Sequence, residues 1–174
     1  MHDDDAPIDS RDEMRDLLAS WRAVPAFVCD RHFTVVASNA AACAMSPAFA
    51  EGTNLARFTF LEPDVDRDHS MWPEAAGQVA ALLRESLDEH EADASFHTIV
   101  GELSAHSRDF SIAWADDART AKTRGVVPFD ETPVGPIVLA YQLLTVPGHD
   151  RDVLFVWQPV DDESIRGLRE LLRR

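Results

Sequence analysis

With 174 residues, 45% of them hydrophobic, the chain can bury one sizeable core and leaves little for a second domain. Sixteen basic residues, Lys122 the only lysine among them, stand against 31 acidic ones, so a net charge of −15 repels a nucleic-acid backbone rather than neutralising it. The acidic start MHDDDAPIDS lacks the apolar stretch of a secretory signal, and no run approaches the roughly 20 apolar residues of a membrane span; a cytoplasmic location is expected.

Residues 1–10 carry little to bury and are expected to be disordered, with a single domain over 11–174. Met14, Leu17, Leu18 and Trp21 recur at helical spacing, and Pro25 ends that helix. Ala26 to Cys29 and Phe33 to Ser38 alternate about the interruption Asp30-Arg31-His32, which predicts a β-hairpin. Ser38 or Asn39 can cap a following alanine-rich helix, and Asn54 a short helix carrying Leu55, Phe58 and Leu61 that Pro63 closes. Asp64, Asp66 and Asp68 resemble the start of a calcium loop, but His69 and Ala75 stand where such a loop needs glycine and a bidentate glutamate. The stretch reads as a solvated acidic loop.

Three helices are predicted next. The first opens at Pro73 with Ala76, Val79, Ala80, Leu83 and Leu87 on one stripe; the second is capped by Asp93 or Ser95 and contains Gly101; the third is capped by Ser107 and projects Phe110 and Trp114. The last third returns to strands. Pro128 confines 125–129 to an edge or a bulge, and Ile137 to Val146 is apolar on both faces. Pro147 to Asp150 turns the chain into Val153 to Gln158, and Ile165, Leu168, Leu171 and Leu172 mark a final helix. Both faces of the late strands need cover: the inserted helices on one side, and the two terminal helices, or a second copy of the chain, on the other.

The pattern of Pro25 to Val28, Asp30-Arg31 and Val35 to Ala41, followed by Asn54-Leu55, Phe58, Phe60, Phe110, Trp114, Pro133-Val134-Gly135, Leu139, Tyr141, Leu144 and Pro147-Gly148, resembles the ligand-binding domain of MmyB-like transcription regulators, a PAS-like sensor module. The resemblance spans about residues 14–172. It implies an α+β, PAS-like fold: about five antiparallel strands, with helices inserted after the second strand and helices at both termini. It also implies a sensor that binds a small molecule. In the family this domain follows a DNA-binding helix-turn-helix. Only about ten residues precede the first predicted helix here, so direct DNA contact by this chain is not expected.

Chemistry signatures are absent: no nucleophile elbow, phosphate loop, C-x-x-C or H-E-x-x-H occurs, and the seven histidines lie mostly at loops and helix ends. No catalytic residue, cofactor or metal is expected, and Cys29 and Cys43 read as reduced core thiols. The competing readings are a small-molecule-metabolising enzyme using His97, Glu102 or Asp109, and a ligand-free structural or interaction module. The expected ligand is apolar or amphipathic, with fatty-acid-like molecules the first class. Its expected pocket is lined by Phe27, Val35, Leu55, Phe58, Phe110, Trp114, Leu139, Tyr141 and Phe155. A homodimer is a further expectation.

Overall fold

The computed structural model describes residues 10–90, 93–147 and 152–174. In chain order these form α1 (Ser10–Ser20), β1 (Ala26–Cys29), β2 (Val35–Ser38), α2 (Ala40–Met45), a 3-10 turn (Pro47–Phe49), α3 (Leu55–Leu61), α4 (Trp72–Glu89), α5 (Ala94–His106), α6 (Arg108–Ala115), β3 (Arg124–Phe129), β4 (Ile137–Thr145), β5 (Val153–Pro159) and α7 (Asp162–Leu171). The architecture is α+β: one antiparallel five-stranded sheet in the order β2-β1-β5-β4-β3, with five helices inserted after its second strand and one helix before and one after the strands. Of the segment 1–10 expected to be disordered, residues 1–9 lie outside the described residues and Ser10 opens α1; of the expected turn at 147–150, residues 148–150 lie outside them.

Local chemistry explains the first half. The Asp30 carboxylate accepts from the backbone N–H groups of His32 and Thr34, both at 2.9 Å, and closes the hairpin with Phe33 at φ 62°, a left-handed conformation unusual for a bulky residue. Asn39 caps α2 by accepting from Ala42 N at 2.9 Å, and its amide donates to the carbonyls of Trp21 and Val24 at 2.9 and 2.7 Å. One buried side chain thus ties the end of α1, the entry to β1 and the start of α2. Asn54 repeats the device, capping α3 through Arg57 N while donating to His32 O and Thr34 Oγ1.

The core lies between the sheet and the insertion. Phe27, Cys29, Val35, Leu139, Tyr141, Phe155 and Trp157 face Leu55, Phe60, Ala80, Leu83, Phe96, Leu103 and Phe110 from the helices. On the opposite face Leu18 of α1 packs with Ala26, Val28, Ala37, Val146 and Leu154. Here α7 departs from expectation: its Leu168 and Leu171 join the main core instead of the outer face. The cause is close approach at the sheet end, where a Cβ on Gly167 would lie 3.1 Å from Ile137 Cγ1 and Ser164 Oγ accepts from Val138 N at 2.9 Å. The outer face of β3 and β4 therefore stays partly open, with Val126 55% and Leu144 50% exposed. Cys29 is buried as expected, but Cys43 is exposed, on the solvent side of α2. No described helix is long and apolar enough to cross a membrane.

Candidate functional site

Strand β3 is a sheet edge, as Pro128 requires, and between it and the start of α4 lies a cleft of about 620 Å³. Its walls are mostly apolar: Met45, Met71, Trp72, Val127, Phe129 and Tyr141. Pro73 in the first turn of α4 sets where the helix can begin, and so where Trp72 stands. Tyr141 reaches the cleft because its cross-strand partner is glycine. A Cβ at Gly125 would sit 2.6 Å from Tyr141 Cε1, so the ring lies across the edge strand where any other residue would displace it. Burial pushes the Tyr141 hydroxyl above its ordinary pKa.

Behind Tyr141 an aromatic row continues into the core. Its ring is 5.3 Å from Trp157, which lies 5.6 Å from Phe129 and 5.5 Å from Phe49, and Phe49 stacks on Phe27 at 4.5 Å. The indole nitrogens of Trp72 and Trp157 are buried without a hydrogen-bond partner among the described residues. Each is a donor able to meet an acceptor brought from outside.

One wall of the cleft is fastened by polar contacts. The connection between α6 and β3, residues 116–123, lies along α4. Gln78 pairs with Lys122 as a strand would, donating to its carbonyl at 2.6 Å and accepting its N–H at 2.9 Å. Glu74 takes both the Lys122 ammonium, at 2.6 Å, and the Arg119 guanidinium. Those two cations, Lys122 first, hold the Glu74 carboxyl below its usual range. Glu85 accepts from Ala121 N at 2.8 Å. His69 and Asp130, 2.9 Å apart, join the loop before α4 to the end of β3.

Residues 10–171 match the family described as the MmyB-like transcription regulator ligand binding domain. The chain belongs to this family. No curated protein matches it. Among solved structures it is similar to the PAS domain from Bordetella pertussis BvgS, at 14% identity over 95% of this chain and 98% of that one, with a TM-score of 0.38. Family membership gives the domain its role in outline, the ligand-binding part of a transcription regulator.

Within this MmyB-like domain the nine pocket residues named from sequence fall in one cluster. Phe27, Val35, Leu55, Phe110, Leu139, Tyr141 and Phe155 are buried in the main core, and Phe58 and Trp114 pack against it. Tyr141 alone among them lines the large cleft. Trp114 stands at the far side, stacked on Phe110 at 5.3 Å and covered by the Arg84 guanidinium at 5.2 Å. Trp72 and Phe129 escaped the sequence reading. The available signals were Phe129 in register with Gly125 and Val127 along β3, and a tryptophan set just before Pro73.

Of the three residues weighed for catalysis, two share a recess and the third does not join them. Glu102 is held by Arg57 at 2.6 Å and borders a second, polar recess with Asp109 and His106, whereas His97 is exposed elsewhere on α5. Among the described residues no group of three or more histidine, cysteine or carboxylate side chains is placed to hold a metal ion.

Proposed function

We propose that this ligand-binding domain senses an apolar or amphipathic small molecule with a fatty-acid-like chain, and that the molecule enters at the cleft between β3 and α4. The supporting observation is the cleft itself, about 620 Å³ of mostly apolar wall, which falls in the size range of small-molecule pockets. The chain of the ligand lies past Tyr141 toward Leu139, Phe155 and Phe27, moving the aromatic row that now fills this side of the core, and Val35, Leu55, Phe58, Phe110 and Trp114 form the inner end of the site. The domain acts by binding rather than by catalysis, and with a net charge of −15 this chain does not itself hold DNA. A homodimer through the outer face of β3 and β4 would cover Val126 and Leu144; sedimentation as a 19.3 kDa species at high micromolar concentration refutes it.

The test is a thermal shift with straight-chain acyl compounds of about eight to eighteen carbons, alongside native mass spectrometry of the purified protein. Ligand at about 100 times its dissociation constant adds about 2.7 kcal/mol to stability. For a domain of this size that raises Tm by about 5 to 10 °C. Leu139→Trp fills the inner site while keeping β4 apolar, and is expected to abolish the shift. A folded variant with the full shift refutes the inner placement, and no shift with any chain refutes the ligand class.

A further inference from the structure

The proposed function leaves the polar end of the ligand unspecified, and the cleft mouth carries the information. Four carboxylates, Asp66, Glu74, Asp130 and Glu131, line the cleft, against one lysine and one histidine. The Lys122 ammonium is already paired with Glu74, so it is not a free cation for an incoming anion. Asp66 and Glu131 are exposed, and Glu131 has no ion-pair or hydrogen-bond partner among the described residues. A carboxylate head arriving here meets like charge, on a chain that is acidic throughout. A cation meets carboxylates beside the rings of Trp72, Phe129 and Tyr141, the aromatic and acidic combination that attracts ammonium groups. The second observation is the Trp72 indole N–H, buried in the same wall without an acceptor. An ammonium group has no lone pair to offer it, so the acceptor must come from the body of the ligand.

Resting on the sensor reading above, we infer that the ligand is an amphiphile with a cationic head: an acyl ester or amide, whose carbonyl meets Trp72 and whose ammonium group sits among Asp66, Asp130 and Glu131.

Three probes with the same eight-carbon acyl chain separate the alternatives: octanoylcholine, ethyl octanoate and octanoate, titrated calorimetrically below their micelle concentrations. Octanoylcholine is expected to bind at least about tenfold more tightly than octanoate at low salt, with ethyl octanoate between them, and the spread should narrow as salt rises. The double variant Asp66→Asn/Glu131→Gln should shrink the ratio of octanoylcholine to octanoate affinity at least about threefold. Ala75→Trp places a bulky ring in the cleft from an exposed helix position and should abolish binding of all three. Octanoate binding as tightly as octanoylcholine, with ethyl octanoate still blocked by Ala75→Trp, overturns the head-group inference and leaves the sensor reading standing. Octanoylcholine binding undiminished by Ala75→Trp reduces the effect to general attraction to an acidic protein and also overturns it. If no probe binds in the cleft, both readings fall.

Discussion

The hairpin end of the domain and the cleft end are held together by different kinds of contact. Around β1 and β2 the ties are buried side-chain amides: Asn39, 4% exposed, and Asn54, 7% exposed, each satisfying several backbone groups that are themselves buried or half-buried. At the cleft the ties are carboxylates, a lysine and a glutamine at the surface, fastening residues 116–123 to α4. A buried donor or acceptor left without its partner costs its full desolvation, whereas an exposed pair exchanges protein contacts for water at nearly equal free energy. The hairpin end is therefore built to stay shut, and the wall of the cleft to open locally at low cost. A sensor needs that division, because a ligand site must admit its ligand while the scaffold keeps its shape.

Asn39→Ala gives the largest expected effect. It removes the cap of α2, leaves the buried Ala26 N–H without its acceptor and takes the donor from the half-buried carbonyls of Trp21 and Val24, for a loss of about 2 to 4 kcal/mol in denaturant unfolding. A loss under about 0.5 kcal/mol would mean that the hairpin end is no more firmly held than the cleft, and the contrast would collapse.

How far each end was legible in the sequence follows the same contrast. Asn39, Asn54, Asp93 and Ser107 were all readable as helix caps, because a cap acts on backbone two or three residues away and leaves a short-range signature. From Pro128, β3 was readable as an edge or a bulge, and the structure places it at the edge. The cleft was not, because its walls are joined by pairs such as Gln78 with Lys122, 44 residues apart, and DDARTAKT at 116–123 has no periodicity to flag it. Alternation showed that both faces of β4 are apolar, yet it could not show that α1 covers only one end of the outer face or that α7 turns to the inner one. The turn of α7 depends on where Gly167 lets that helix approach Ile137, a contact 30 residues apart in the chain that leaves no local pattern.

A contact of intermediate kind tests the contrast by pH. Asp93 caps α5 and reaches back to the hairpin turn, with His32 Nε2 at 2.8 Å and Arg31 at 2.9 Å. Its pKa is lowered to about 2, first by the Ser95 N–H it accepts and then by His32 and Arg31. A folded-state pKa below the unfolded value of about 3.9 means that the carboxylate stabilises fully above about pH 4, and that this is lost as pH falls toward 2. Asp93→Asn keeps a capping acceptor and removes the charge. The stability difference between parent and variant should be greatest near neutral pH and shrink across that window; a difference independent of pH would show that the ion pairs add nothing to the cap.

Gln78→Ala gives the smallest global effect and the sharpest local one. The amide sits on the surface of α4, so its two hydrogen bonds to Lys122 contribute about 1 kcal/mol at most, and the better helix propensity of alanine returns a few tenths. Global unfolding should therefore move by less than about 1 kcal/mol. Hydrogen exchange should separate the two ends even so. The Lys122 amide, which loses its acceptor, and its neighbours in 116–123 should exchange severalfold faster, while the β1 and β2 amides keep their parent rates, because this connection, a strap along α4, can lift from the helix without disturbing Asn39 or Asn54. A ligand that spans the cleft should slow that exchange again in the parent protein. Equal acceleration at both ends would show that the strap opens only when the whole domain unfolds, and the cleft would then have no wall of its own to move.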